Sequence, residues 1–440
     1  MRARHSLIKA GSPLFGVILV AALVLPSAPA LAGPRDGRVE IETDRQFDAA
    51  HGVRSGSGTK ADPYVIEGWD LHHLEIHDTS RCVLIRNNVV GTLILNWIDR
   101  CTTVVRNRVS NLLVNQNVKR TGEATSGLIA HNEFDVVGQL RHWDGVFSRN
   151  VVGSPPEDDG FEFPLFGGNH NRAANLDGFN GAVYKHNTFY GYVETRLHGH
   201  HHSSGFGEQS HYHGTKRHTG GLDHMNRYHR VNFTRNTIHS GGPYGLIYTD
   251  SAHSANDRTA ASEQNPELDN PHVHYTRVAL TNNRLIGSGI VLDIFNADDE
   301  RHLRTETGHF TIARNKIVVR EYREDSDAWS EPPVGIEVRE AKDLHLHIFD
   351  NLVTGEVEDE ENDMGPLSDT LWKQVTSGIN LWSVEKAWIH IMNNTVTNRD
   401  VGILARDFKN VTWWISGFDT KGVPQRIDYD NSSSRPRQSP

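Results

Sequence analysis

The chain has 440 residues, a formal net charge of −10 and only two cysteines. Residues 1–32 hold three of the basic residues and no acidic one, so the chain without them carries about −13, which makes nucleic acid and anionic membranes poor partners. The length alone suggests two or three ordinary domains, but internal repetition overrides that estimate.

Residues 1–32 have the pattern of a secretory signal peptide. Basic residues precede an apolar run from Leu14 to Leu25, and Ala30-Leu31-Ala32 supplies small residues for cleavage before Gly33. The apolar run is too short to cross a bilayer comfortably and no later stretch is long enough, so we expect no membrane span after signal removal. We therefore expect an exported protein, periplasmic or secreted.

A four-residue phrase recurs ten times: a polar residue, Asn, any residue, then an apolar residue. Its Asn residues are Asn87, Asn107, Asn132, Asn150, Asn187, Asn236, Asn283, Asn315, Asn351 and Asn394. Asn tolerates the left-handed turn conformation, and its amide both donates and accepts hydrogen bonds. The phrase predicts turns whose Asn side chains stack as a ladder. The first intervals, 20, 25 and 18 residues, each match one solenoid coil, whereas later ones of 32 to 49 hold two coils or one coil with a long loop.

A second phrase, Gly followed by alternating apolar residues, supplies the other part of each repeat. It begins at Gly245, Gly289, Gly335, Gly378 and Gly402. A period of two predicts short strands, with the Asn phrases in the turns between them. A unit that cannot bury its own apolar face must stack on copies of itself. We predict an all-β fold, a single-stranded right-handed parallel β-helix over residues 33–425 with Asn-ladder turns and long inserted loops.

Residues 56–71, GSGTKADPYVIEGWDL, carry a resemblance to a known family. Together with the repeats up to about residue 420, they resemble the pectin-lyase-like right-handed β-helix proteins, in particular the NosD-like periplasmic copper-associated branch. The resemblance implies the fold and leaves the function open among polysaccharide lyases, glycoside hydrolases, epimerases, adhesins and metal-associated proteins. It assigns no catalytic residue, because the chain offers no hydrolase-type Asp pair or lyase-type Arg/Lys signature to carry one.

The two cysteines, Cys82 and Cys101, each precede an Asn phrase in successive coils. Export and the spacing of neighbouring strands, about 4.8 Å, allow a disulfide. The phrase residues Asn87 and Asn107 are 20 apart whereas the cysteines are 19 apart, so one cysteine can point inward while the other points outward. The alternative is a pair of buried thiols that act as small apolar residues.

Nine of the 27 histidines fall between residues 198 and 229, in a loop that we expect at about residues 190–230. If the segment is extended, His198, His200 and His202 share one face, and His211 and His213 share another. Such pairs suit zinc or copper, and no organic cofactor is expected. The alternatives are loose binding of adventitious metal or a solvated loop. Two smaller His groups outside this loop are interpreted as ordinary surface residues: His72, His73 and His77, and the pair His345 and His347.

Aligning the Gly phrases predicts a polar strip on one outer sheet face. The candidate catalytic residues are Asp293, Glu337, Arg339 and Arg406, and the candidate substrate-binding residues are Asn380 and Trp382. Glycans bind such strips by stacking on Trp and by Arg contacts with carboxylates, and a carboxyl pair can serve as acid and base. The alternative is that any solenoid covers its outer faces with polar residues.

These patterns leave three functional hypotheses. The first is an exported β-helix protein that binds or cleaves an extracellular polysaccharide as a lyase or hydrolase, assisted by a metal in the His-rich loop. The second is a periplasmic copper- or zinc-binding protein of NosD-like type without glycan activity. The third is a structural surface or adhesion protein. We expect a monomer with a disordered tail at residues 426–440, which are polar and rich in Ser and Pro.

Overall fold

A computed structural model describes residues 34, 37–96, 98, 101–115, 127–143, 145–155, 172–178, 182–198, 229–240, 244–251, 276–294, 308–320, 334–341, 344–356, 376–429 and 437–438. All belong to one compact unit, Gly33–Pro440. The other unit, Met1–Ala32, carries the predicted signal peptide and lies outside the described residues. Within the described part, the helical structure consists of two 3-10 turns, Asp44–Gln46 and Ala49–His51, and no helix there could span a membrane.

Short strands make up most of the described chain. In the N-terminal part they are β1 (Arg38–Ile41), β2 (Val53–Ser55), β3 (Tyr64–Glu67), β4 (Asp70–His77), β5 (Val83–Arg86), β6 (Val89–Asn96), β7 (Thr103–Val105), β8 (Arg108–Asn115), β9 (Leu128–Ala130), β10 (Glu133–Trp143), β11 (Val146–Ser148), β12 (Val151–Val152), β13 (Arg172–Gly178), β14 (Ala182–Lys185), β15 (Thr188–Tyr190), β16 (Tyr192–His198), β17 (His229–Thr234) and β18 (Thr237–His239).

The remaining strands follow the same pattern. They are β19 (Tyr244–Ser251), β20 (Thr276–Thr281), β21 (Arg284–Gly287), β22 (Gly289–Asp293), β23 (Gly308–Ala313), β24 (Lys316–Arg320), β25 (Ile336–Arg339), β26 (Leu344–Phe349), β27 (Leu352–Glu356), β28 (Ser377–Trp382), β29 (Trp388–Met392), β30 (Thr395–Thr397), β31 (Val401–Arg406), β32 (Thr412–Ser416), β33 (Asp419–Lys421), β34 (Gln425–Tyr429) and β35 (Arg437–Gln438).

These strands stack coil upon coil, as the predicted all-β parallel β-helix requires. Sheet 1 has 14 strands in the part of the chain that the structure describes: β2, β3, β5, β7, β9 and then every third strand from β11 to β35. In the early coils one long strand, such as β6 or β8, follows each Asn turn. From β10 onward this strand divides into two rows, which we call sheet 2 (β12, β15 and every third strand to β33) and sheet 3 (β13, β16 and every third strand to β34). Among the described strand pairs, only β2 with β3 is antiparallel.

The core is built from aliphatic side chains in register. In sheet 3 the buried residues Ile290, Ile336, Ile379 and Ile403 lie in one row across adjacent coils. Strand alternation sends each of them inward and its neighbours outward. Each coil therefore buries its apolar face against the coils above and below, as the period-two Gly phrases predict.

The Asn phrases form a continuous ladder inside the turns between sheet 1 and the strand that follows. Asn107 is typical: its Oδ1 accepts hydrogen bonds from the backbone N–H and Nδ2 of Asn88, both at 3.0 Å. Its own Nδ2 donates to Asn132 Oδ1 at 3.1 Å and to the carbonyl of Ile85 at 3.0 Å. The same contacts continue through Asn150, Asn187, Asn236, Asn283, Asn315, Asn351 and Asn394, all of which are buried. The predicted ladder is confirmed.

The sequence prediction was wrong about which residue takes the left-handed conformation. The residue before the ladder Asn adopts it, as at Arg106 (φ 56°) and His131 (φ 57°). In the first phrase this residue is Asn87 (φ 53°), which is exposed, and Asn88 is the ladder member. The ladder Asn needs an inward side chain, so the turn assigns the strained position to its neighbour.

This correction resolves the register of the two cysteines. Asn88 and Asn107 are 19 residues apart, the same separation as Cys82 and Cys101. The two sulfur atoms are joined in a disulfide with a Cα–Cα distance of 4.8 Å, the spacing of adjacent strands. The disulfide alternative is therefore the correct one.

Aromatic residues take the ladder position at both ends. Trp69 precedes Asn88 in the stack, since its backbone N–H donates to Asn88 Oδ1 at 3.0 Å, and Phe418 follows Asn394. Each is preceded by a Gly with positive φ, and each lies beside an Arg, with Arg54 at 4.0 Å and Arg426 at 5.9 Å from the ring centroids. At each end a bulky ring without an amide takes the next ladder position, so the ladder ends there.

The structure also corrects two predicted boundaries. The β-helix continues past residue 425, because β34 pairs with β31 and β35 pairs with β32, so residues 426–429 and 437–438 are not a disordered tail. The polar composition concealed an outer strand, in which Ile427 packs on the core and Arg426 lies beside Phe418. Residues 192–198, placed in the His-rich loop, form β16 in sheet 3, and 199–228 lie outside the described residues.

Replacing Asn283 with Ala should lower the free energy of unfolding by about 1–3 kcal/mol, because buried partners such as the Asn236 N–H and the Phe233 carbonyl lose a hydrogen bond. Urea unfolding followed by circular dichroism measures this change. The control is Asn232→Ala at an exposed site on β17, where we expect a change below about 0.5 kcal/mol. Equal effects of the two substitutions would contradict a stabilising ladder.

Removing the disulfide with the double substitution Cys82→Ala and Cys101→Ala should cost about 2–4 kcal/mol of unfolding free energy, because the bond closes a loop of 19 residues in the unfolded chain. Urea unfolding with and without a reductant measures the loss. The reductant should weaken the natural chain and leave the double variant unchanged. A natural chain that is insensitive to reduction would show that the bond adds no stability.

Candidate functional site

The outer face of sheet 3 carries all six residues of the predicted strip. Strands β22, β25, β28 and β31 place Asp293, Arg339, Trp382 and Arg406 in one outward row. The neighbouring outward row contains Val291, Glu337, Asn380 and Leu404. Residues between 24 and 46 positions apart thus become neighbours at the strand spacing of about 4.8 Å.

Hydrogen bonds and ion pairs link the strip residues to adjacent coils. Arg339 Nε donates to Asp293 Oδ2 at 3.2 Å, and Asn380 Nδ2 donates to Glu337 Oε1 at 3.2 Å. Arg406 forms an ion pair with Asp428 of β34 at 2.5 Å. The indole N–H of Trp382 donates to Asp407 Oδ2 at 3.0 Å, which orients the ring. The strip therefore has both signs of charge and a fixed geometry.

Access to the strip differs between its two ends. Trp382 is 44% exposed, and the side chain of Arg406 is 35% exposed. Val291 and Glu337 also point outward by alternation, but only 4% and 8% of their surfaces are exposed. Solvent therefore reaches mainly the end formed by β28 and β31.

This arrangement limits what the two candidate carboxylates can do. Asp293 and Glu337 lie in different rows of adjacent strands, which corresponds to a diagonal Cα separation of about 8 Å. Asp293 is bound to Arg339, and Glu337 is almost fully buried and bonded to Asn380. A general acid must reach the bond it protonates, so the geometry favours binding over cleavage.

The predicted metal residues lie mostly outside the described part of the chain. His200, His202, His211 and His213 are not described, and neither is the side chain of His198. The backbone of His198 ends β16, where it pairs with Ser251 of β19. The zinc or copper site in the His-rich loop therefore stays a prediction.

The sequence analysis interpreted His73 and His77 as ordinary surface residues, and the structure places both of them against Glu75 on β4. Glu75 Oε2 lies 3.0 Å from His73 Nε2, and Glu75 Oε1 lies 2.5 Å from His77 Nε2. Burial raises the pKa of Glu75, but the hydrogen bonds with His73 and His77 outweigh this effect and lower the pKa below its usual value. The His-x-Glu-x-His spacing on a strand was the available signal, but the contribution of Glu40 from β1 needed the coil register.

The second pair interpreted as ordinary surface residues, His345 and His347, lies on the outer face of sheet 1, where imidazole and indole rings contact one another across coils. His345 stacks between His309, at 4.9 Å, and Trp388, at 4.6 Å. In the next outward row, His390 contacts His347 at 5.1 Å and Trp414 at 4.5 Å. The His-x-His spacing in β26 was visible in the sequence, but the partner rings belong to other coils.

The environment of these rings opposes protonation. Burial, followed by the neighbouring His309 and His390, lowers the pKa of His345 below 6.5. Burial and the neighbouring His390, His345 and His309 lower the pKa of His347 in the same way. The folded protein therefore favours the neutral form of His345 and His347.

Comparison with known proteins gave no relative for this fold and these clusters. No family model, no curated protein and no solved structure matches the chain.

The ring rows should make stability depend on pH. Above pH 6.5, the ordinary pKa of His, both the folded and the unfolded chain keep His345 and His347 neutral. Their full contribution to the free energy of unfolding is then present. As the pH falls through 6.5 the unfolded chain takes up protons first, and the free energy of unfolding falls until the lower folded pKa is passed. Urea midpoints at about pH 7.5 and about pH 5.5 measure this loss.

His347→Gln should reduce that pH dependence, since it removes one of the two groups. The matched control is His72→Gln, at an exposed position on β4. A His347→Gln chain with the full pH dependence of the natural protein would show that the ring rows do not cause it.

Proposed function

We propose that this chain is an exported β-helix protein that binds an extracellular polysaccharide along the outer face of sheet 3. The observation that carries the proposal is the position of Trp382, which is exposed, donates its indole N–H to Asp407, and lies in register between Arg339 and Arg406. An oriented, exposed indole flanked by hydrogen-bond donors is a suitable platform for a sugar ring.

The repeat of the fold supports an extended ligand. Adjacent coils are about 4.8 Å apart, a distance comparable to one sugar residue in an extended glycan. A chain lying across the coils would meet the same two outward rows at each step. Asn380 and Arg406 then offer hydrogen bonds beside the indole of Trp382.

The charges of the strip indicate the kind of glycan. Arg339 and Arg406 already pair with Asp293 and Asp428, so a uronate carboxylate must compete with a protein carboxylate for each guanidinium. The negative formal charge of the whole chain adds to this cost. Hydroxyl-rich neutral polysaccharides are therefore the preferred ligands, with uronate-containing chains second.

Two segments of the sequence are compatible with this proposal. Residues 1–32 have the features of a signal peptide, which would bring the chain to the periplasm or the outside of the cell, where such glycans occur. The resemblance of residues 56–71 to the pectin-lyase-like β-helix proteins, and to their NosD-like branch, is compatible with a carbohydrate ligand.

Replacing Trp382 with Ala should weaken polysaccharide binding by about tenfold, equivalent to about 1.4 kcal/mol, because the stacking surface is lost. The mature chain is screened on an array of neutral and uronate-containing glycans, and the best ligand is then titrated by calorimetry. Trp388→Ala is the matched control, since Trp388 is 46% exposed on sheet 1, and it should keep the natural affinity. Equal affinities for both variants would place any glycan site elsewhere.

The glycan found in this screen also serves to test whether the protein cleaves its ligand. Glu337→Gln removes the charge of a candidate catalytic residue and retains a side chain that can bond Asn380. If the natural chain releases reducing ends or unsaturated products, this variant should abolish the release and still bind the glycan. Unchanged product release would remove Glu337 from the mechanism.

A further inference from the structure

Strand β4 presents three titratable side chains on one outer face near the N-terminal end of the β-helix. Alternation turns Leu74 and Ile76 into the core and leaves His73, Glu75 and His77 outward. The neighbouring strand β1 pairs in parallel with β4 so that Glu40 lies directly opposite Glu75. Two carboxylates thus face each other across adjacent strands, an arrangement that like charges disfavour.

The donor atoms of this cluster are close enough to share one ion. One ligand atom from each of Glu40, His73 and Glu75 lies within 4.8 Å of the other two. In a tetrahedral zinc site, ligand atoms at about 2.0–2.1 Å from the metal are about 3.4 Å apart, so small side-chain rotations suffice to close this cluster. His73 Nε2 and Glu75 Oε2 are already 3.0 Å apart.

The surroundings hold the central carboxylate in place. The side chains of His73 and Glu75 are 21% and 20% exposed, so they are partly shielded while an ion can still enter. His77 binds Glu75 Oε1, and Glu75 Oε2 is directed toward His73. Such an outer partner fixes the orientation of a metal-binding carboxylate.

We propose that Glu40, His73 and Glu75 bind a divalent transition-metal ion of the Zn²⁺ type. One imidazole nitrogen and two carboxylate oxygens supply three ligands, and water completes the fourth position. His77 acts as the positioning residue through Glu75. The ion neutralises the two opposed carboxylates and ties β1 to β4.

This site is independent of the proposed glycan function. It lies on the first coils, whereas the strip lies on β22 to β31, and its residues are all described, unlike the His-rich loop. A failure to bind glycans would leave the metal site untouched, and the reverse holds as well.

A substitution of Arg38 should change the Zn²⁺ affinity in the opposite direction, toward tighter binding. Its guanidinium forms an ion pair with Glu40 and so competes with a metal for that carboxylate. Arg38→Gln should therefore tighten Zn²⁺ binding about twofold to fivefold, the size of a surface ion pair. A cluster that only holds the fold together has no reason to respond in this direction.

The test is a titration of the mature, untagged chain with Zn²⁺ against a competing chromophoric chelator. We expect Glu75→Gln to bind one equivalent fewer than the natural chain, whatever the His-rich loop binds in addition. The control is the double variant His345→Gln and His347→Gln, which removes an outward His pair from another strand, β26, and should keep the full stoichiometry. Circular dichroism verifies that each variant folds.

Two further measurements keep the test decisive if Glu75→Gln fails to fold. Glu40→Gln changes a side chain that is 41% exposed, and it should lower the affinity for this one Zn²⁺ ion about tenfold or more. We expect the same loss of affinity for His77→Gln. Co²⁺ should give visible tetrahedral absorption bands in the natural chain that are lost in these variants. Equal Zn²⁺ affinity and stoichiometry, and equal Co²⁺ spectra, in the natural chain and all three variants would overturn the proposal.

Discussion

The hydrogen-bonded column of Asn side chains is the constraint on which the rest of this structure depends. Each Asn Oδ1 accepts from the coil before it, and each Nδ2 before that of Asn394 donates to the coil after it and to a backbone carbonyl, so adjacent coils are locked at one register. A slip of one residue would break the column and turn every inward side chain outward. The buried amides therefore specify the arrangement, and the aliphatic rows around them supply most of the burial.

A repeated structure needs defined ends, because the last coil otherwise exposes an unpaired strand edge and an apolar face. Here the ladder position itself carries the end signal, an aromatic ring at Trp69 and Phe418 where an amide would continue the stack. The nearby Arg54 and Arg426 lie against these rings and add a polar outer layer. The N-terminal end also has the antiparallel strand β2 and two short 3-10 turns.

The same register creates the surfaces with functional potential. Outward residues of successive coils form rows, so side chains that are 40 or more residues apart become neighbours, as His347 and His390 do in sheet 1 and Asp293 and Arg339 do in sheet 3. Each outer face thus has its own chemistry: ring stacks on sheet 1, a strip of mixed charge on sheet 3, and the His and Glu cluster on the first coils. None of these needs a change in the core, which lets a solenoid carry separate sites.

The sequence by itself determined the fold class, because the Asn and Gly phrases report local requirements, an amide in each turn and a period of two in each strand. It also determined which face Asp293, Arg339 and Trp382 share, since strand alternation follows from spacing. Only the tertiary structure decided the register between coils, which moved the first ladder residue from Asn87 to Asn88, joined Cys82 to Cys101 and brought Glu40 to Glu75. The physical reason is that the pairing of two residues in adjacent coils depends on the conformation of the whole segment between them and on where the aromatic residues end the ladder. The residues that come into contact do not themselves encode either of these.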